Sequence, residues 1–236
     1  MFGKLIKSEE SVYAELREND IQRAIMRVGQ KVFNLTFIYA LQDKQMAERL
    51  LGAQQSIKDI LGDGHYYFTE QDLHMTLFIP ALRSPLLSTA NRQQHREKAL
   101  DFFINPEARK LFISPTIHFR GGHAGSSVIV HGYSYKELNE SRLALVRHGL
   151  RYRLFDYKRA LNYAKQIVYK GLIYPNIAHI NLVRLDREIS ADQRNAVNNL
   201  LAEYDFGQMT FPEVGLYEFP RFGIFSTGKC LDSINP

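Results

Sequence analysis

Leu73-His74-Met75-Thr76-Leu77-Phe78-Ile79 is nearly repeated in the second half of the chain, inside Ile177-Ala178-His179-Ile180-Asn181-Leu182-Val183-Arg184-Leu185. Both runs are short and apolar, with Pro80 closing the first and Pro175 preceding the second, so both read as strands. Side chains alternate faces along a strand, which puts His74 and Thr76 on one face and Met75 and Leu77 on the other. By the same count His179 and Asn181 share a face opposite Ile180 and Leu182. Each strand then offers an imidazole and a hydrogen-bonding group on one side and buries aliphatics on the other. Two such strands facing each other would set two histidines around one polar cleft.

The rest of the chain can support such a core. At 236 residues it is long enough to bury roughly 70–75% of its unfolded surface. A hydrophobic content of 45% and a charged content of 23% are those of an ordinary globular protein. The single Cys230 excludes an intramolecular disulfide and a paired-cysteine zinc site. No apolar run reaches the length of a bilayer, and the opening residues lack a signal-peptide core, so no membrane partner and a cytoplasmic location are expected. A net charge of +5 favours anionic partners without naming one.

Along the chain, residues 1–31 read as a charged N-terminal helical extension and 32–236 as one domain. Lys31 to Leu41 is β-rich. Asp43 is placed to cap a helix in which Met46, Leu50, Ala53, Ile57 and Ile60 recur at helical spacing, with Gly62 at its end. A further helix starts near Ser88 or Thr89 and stops before Pro106. Strands are predicted at Leu111–Phe119 and Ser126–His131, joined by the glycine-rich Arg120–Gly125. Ser134 to Glu137 and Ser190 to Gln193 match the capping box, predicting helices to about His148, with Gly149 past the end, and to about Tyr204. Asp156 is placed to cap a helix running to Gly171. Strand-like pieces at Met209–Tyr217 and Phe222–Ser226 flank Pro220. Hairpin signals without strict strand–helix alternation give an α+β class with two largely antiparallel sheets and flanking helices.

The paired motif resembles the His-Φ-[Ser/Thr]-Φ signature, with Φ apolar, of the 2H phosphoesterase superfamily, which includes 2′-5′ RNA ligase-like proteins and cyclic phosphodiesterases. His74-Met75-Thr76-Leu77 matches fully, and His179-Ile180-Asn181-Leu182 departs only at Asn181. None of the other six histidines is followed two positions later by a Ser or Thr. The motif covers eight positions, and the surrounding order of elements is compatible over residues 32–228. The resemblance implies a bilobal fold, pseudo-twofold about a central cleft. It also implies cleavage of an RNA or nucleotide phosphodiester without a metal or other cofactor.

Histidine, with an ordinary pKa near ~6.5, can act as general base or general acid around neutral pH. His74 and His179 are therefore the candidate catalytic pair, with the assignment of base and acid left open. Thr76 and Asn181 are the candidate phosphate donors. Asn181 is longer than the hydroxyl residue it replaces, which leaves two outcomes open: a working phosphodiesterase, or a nucleotide- or RNA-binding module with weakened catalysis. Tyr174 is a candidate substrate contact, and Arg184 should face away from His179. The segment from Arg147 to Lys170 interleaves basic residues with tyrosines, as a single-stranded RNA groove does. An exposed amphipathic helix with its tyrosines on the core is the alternative. His118, His123 and His131 lack ligand spacing and nearby carboxylates, so no metal site is expected there.

Overall fold

A computed structural model describes residues 29–83, 88–134, 137–155, 157, 160, 161, 163, 164, 178–221 and 224–236. The predicted extension over 1–31, the Asp156-capped helix and Tyr174 lie wholly or mostly outside these residues. Nine strands are described: β1 (Lys31–Ala40), β2 (Tyr66–Tyr67), β3 (His74–Arg83), β4 (Thr116–Ala124), β5 (Ser127–Ser134), β6 (Ala178–Arg184), β7 (Asp205–Thr210), β8 (Val214–Arg221) and β9 (Lys229–Ile234). The helices are α1 (Lys44–Leu61), α2 (Thr89–Ile104), α3 (Pro106–Arg109), α4 (Glu137–Arg151) and α5 (Ala191–Ala202). The strands form two sheets, β3-β1-β8-β9 and β2-β6-β5-β4-β7, antiparallel at every pairing.

Local signals explain most boundaries. Asp43 accepts a hydrogen bond from the Met46 amide at 3.0 Å, and Gly62 closes α1 in a left-handed conformation. Ser88 caps α2, and Ser190 with Gln193 forms a reciprocal capping box on α5. β1 lies between β3 and β8 and is buried from Val32 through Tyr39. Its Phe37 stacks on Phe78 at 4.5 Å and meets Phe103 and Phe112 at 5.4 and 5.7 Å, joining the first sheet to the helices. Fully burying such a ring contributes about 1.5–3 kcal/mol. Tyr39 and Phe119 both touch Phe211, so the cores of the two sheets merge.

Four sequence expectations shift. Leu111–Phe119 is not one strand: α3 occupies 106–109, and β4 begins only at Thr116. The strand then runs on through Gly121, which takes φ +61° where the pairing of β4 slips, so the hairpin turn itself is only Gly125 and Ser126. Gly149 lies inside α4 rather than beyond it. A side chain there would strike the Phe155 ring, and the left-handed conformation falls instead on Arg153. The final region holds β7, β8 and β9, where two strand-like pieces were expected. Pro220 sits within β8 beyond Glu218, the last residue paired to β9, where its missing N–H costs no bond to that neighbour.

β3 is the outer strand of the first sheet, and its free edge is covered rather than bare. Arg142 of α4, fully buried, donates to the Thr76 carbonyl at 2.6 Å. The Tyr163 hydroxyl donates to the Ile79 carbonyl and accepts from the Ile79 amide. Alongside them, β3 packs against β6 of the other sheet. The two histidine strands thus meet at the junction of the sheets.

Candidate functional site

On β3, Met75 and Leu77 are buried while His74 and Thr76 are half-buried. On β6, Ile180 and Leu182 are buried while His179 and Asn181 are half-buried. The alternation expected of both strands is therefore present. Thr76 lies opposite Ile38 of β1, and Asn181 lies opposite Ile129 of β5.

His74 is fixed from two directions. Its Nδ1 lies 2.8 Å from the Asp72 carbonyl oxygen. A carbonyl can only accept, so Nδ1 carries the proton and Nε2 of the neutral ring keeps its lone pair. The Phe225 ring stacks on the imidazole at 4.9 Å and 23°, with Phe219 next to it. Burial pushes the His74 pKa below the ordinary value of 6.5, and the upward pull of the Asp72 carbonyl and carboxylate does not offset it.

Asp72 is the hub of this arrangement. The short 3₁₀ turn Glu70–Asp72 leads directly into β3. The buried Asp72 carboxylate accepts from the Thr69 hydroxyl at 2.7 Å, the Tyr66 hydroxyl at 3.0 Å and the Ser226 amide at 2.8 Å. Burial alone would raise its pKa, but these donors hold it below the ordinary 3.8. Burial and the bond to Asp72 push the Tyr66 phenol up to about 12. The Ser226 bond anchors the turn Phe225–Thr227, and so holds Phe225 against His74. Sequence reasoning missed Asp72 and Phe225. The Thr69-to-Asp72 spacing was a local signal for the first; the second is brought in from far along the chain.

On β6, His179 lies directly opposite His131 of β5, and directly opposed residues project to the same face. His131 is fully buried, and its Nε2 is 2.7 Å from Nδ1 of the equally buried His123. At Leu182 the pairing with β5 slips by a residue, which breaks the alternation. Arg184 therefore pairs with Ser127 and donates to its hydroxyl at 2.8 Å, on the face that carries His131 rather than away from it as expected. The three histidines weighed as a metal cluster separate: His118 bonds Asp205 at 2.7 Å, a carboxylate remote in sequence, while His123 and His131 bond each other. Among the described residues no three His, Cys, Asp or Glu side chains converge as metal ligands do.

The basic, aromatic segment splits. Tyr163 is buried and meets Phe155 edge-on at 4.8 Å, the core role; Tyr152 and Tyr157 are exposed at 51% and 79%. The lysines of the segment lie outside the described residues.

No family model matches the sequence, and no curated protein matches it significantly. Solved structures do. TT0787 of Thermus thermophilus superposes with a TM-score of 0.55 at 16% identity, over 86% of this chain and 97% of its own. ATU0111 of Agrobacterium tumefaciens, a conserved protein of unknown function, gives 0.55 at 11% identity, over 85% of each chain. Escherichia coli LigT in its apo form gives 0.45 at 14% identity, over 87% of this chain and 98% of its own. The chain shares the fold of the first two.

Proposed function

We propose that this protein is a 2H phosphoesterase. In this proposal it hydrolyses, or reversibly forms, a 2′,3′-cyclic phosphate or a 2′-5′ phosphodiester of RNA or a small nucleotide. The observation that carries the proposal is the meeting of two histidine strands, β3 and β6, with the tautomer of His74 fixed by the Asp72 carbonyl. A ring held with its proton on Nδ1 presents Nε2 as a base, and its lowered pKa keeps that base neutral at physiological pH.

In the hydrolytic direction a water oxygen attacks phosphorus as His74 Nε2 takes the water proton. The bond from phosphorus to the departing sugar oxygen breaks as His179, protonated, donates to that oxygen. His74 finishes charged and His179 neutral, and exchange with solvent resets both. The Thr76 hydroxyl and the Asn181 amide donate to the non-bridging oxygens, where charge builds in the transition state. In the ligation direction the two histidines exchange roles. A nucleotide-binding module without turnover is the second proposal, and Asn181 in place of a hydroxyl is what favours it.

The test is a panel of 2′,3′-cyclic and 2′-5′-linked nucleotides incubated with the wild type, His74→Ala and His179→Ala, each with and without a chelator. Turnover that survives the chelator and is lost in both variants supports the enzyme. Tight binding of a cyclic nucleotide with no turnover supports the module. Activity retained in either variant removes that histidine from the mechanism.

A further inference from the structure

We propose that the His123–His131 pair positions His179 and tunes its proton, so that the second motif strand rests on an internal histidine support. The inference rests on the phosphoesterase proposal for its kinetic effect, but its structural basis is separate. His131 is 0% exposed and His123 1%, while His179 opens partly to solvent. Polar imidazoles are seldom buried this completely without a partner, and each of these two has the other. A 2.7 Å separation between ring nitrogens holds one shared proton: one ring donates and the other accepts. The tautomers of the two rings are therefore locked together, and the orientation of His131 follows from that bond.

His131 then stands directly across the strand pair from His179, where side chains on one face approach to about 4.5–5.5 Å between Cβ atoms. An apolar residue there would complete the core just as well. With Nε2 donating to His123, His131 keeps a lone pair on Nδ1 and gives His179 a polar wall of fixed orientation, which favours the charged form that a general acid needs before it donates. His74 has its support in the Asp72 carbonyl and Phe225. His123 and His131 supply the corresponding support on the other strand, through cross-strand packing instead of a backbone bond.

Other ionisable groups surround the pair. Arg184 lies toward Ser127 on the same face. His118 and Tyr133 face each other across the next strand pair, with the Arg120 guanidinium 4.6 Å over the Tyr133 ring. β3, the strand of His74, packs against β6, and Arg142 of α4 is held on its Thr76 carbonyl.

The experiment uses the full chain with His131→Phe, His131→Gln and His123→Gln. The glutamine at 131 can still bond His123, so it separates hydrogen bonding from bulk. Expected are a fall in kcat of about 10–100-fold for His131→Phe with KM within about twofold, and recovery of most of that loss in His131→Gln. The alkaline limb of the pH–rate profile should move to lower pH in His131→Phe, because an apolar neighbour disfavours the His179 imidazolium. An unchanged kcat and profile beside a lowered melting temperature would make the pair structural only, and overturn the proposal. If His131→Phe does not fold, the two glutamine variants carry the same readouts. If the wild type hydrolyses none of the panel, the phosphoesterase proposal fails on its own. The ring titration of His179, followed by nitrogen-15 NMR in wild type and variants, then decides: a shifted midpoint supports the inference and an identical one sinks it.

Discussion

The two histidine strands carry the same alternation of a histidine, an apolar residue, a hydrogen-bonding residue and a leucine, yet the molecule supports them by unlike means. β3 is an outer strand whose histidine is held by its own backbone two residues back and by a phenylalanine from the far end of the chain. β6 lies inside its sheet, and its histidine stands against a second histidine from β5. A motif repeated in sequence is thus not repeated in environment. Environment decides which way a pKa moves and which nitrogen is available. At His74 burial lowers the pKa and the Asp72 carbonyl leaves Nε2 open, which under the proposed mechanism suits it to the base half of the proton-transfer cycle.

The sharpest way to break this comparison is to remove each histidine in turn. His74→Ala and His179→Ala should each lower kcat/KM by about 10²–10⁴-fold. What remains should differ in shape: the acidic limb should vanish from the first and the alkaline limb from the second. In the wild type the acidic limb should lie below pH 6.5, because burial lowers the His74 pKa and a base with a lowered pKa stays unprotonated further into acid. A profile whose acidic limb lies above 6.5 would reverse the assignment of base and acid.

The next effect separates the first strand from the second through Asp72. Asp72→Ala removes the charged acceptor of the Ser226 amide and of the half-buried Tyr66 hydroxyl, and a hydrogen bond to a charged group contributes about 1.5–3 kcal/mol. A loss of about 2–4 kcal/mol in urea denaturation is expected, together with reduced activity as Phe225 loses its anchor. The pH dependence follows from the sign of the shift. The folded-state pKa of Asp72 lies below 3.8, so its ionised form contributes stability in full above the unfolded pKa. That contribution fades as pH falls through the lowered value. The wild type should therefore lose more stability than Asp72→Ala below pH 4.

How far the sequence carried this picture depends on the range of the interaction. The His74 and His179 strands, the α1 cap at Asp43 and the α5 capping box are set by neighbours within a few residues, and each was legible in the chain. Gly149 and Gly121 misled because their roles come from tertiary contact: the first leaves room for Phe155, the second sits where β4 slips past β5. The direction of Arg184 could not be read because a one-residue slip at Leu182 is invisible to alternation. Phe225, Asp205 and His131 act on partners dozens of residues away, across pairings that no local pattern announces.

Phe225→Leu asks whether stacking, and not only the Asp72 carbonyl, shapes the first histidine. Leucine still fills space but covers less of the ring, so the His74 pKa should rise toward 6.5. The acidic limb should move up with it, and kcat/KM at neutral pH should fall about threefold. An unmoved limb would assign the lowered pKa to burial by groups other than Phe225.

The smallest expected effect bears on the residue at which the two motifs differ. Asn181→Thr restores a hydroxyl at the position that matches Thr76, and should change kcat/KM by no more than about threefold. Asn181→Ala, which removes the donor, should cost about tenfold or more. The change to threonine is small because Asn181 is half-buried on the same face as His179, and its amide offers an N–H where the hydroxyl would offer an O–H. A gain of tenfold or more on restoring the hydroxyl would mean that asparagine had weakened catalysis in this protein. The binding module would then be the better description of the native chain, with the phosphoesterase only one substitution away.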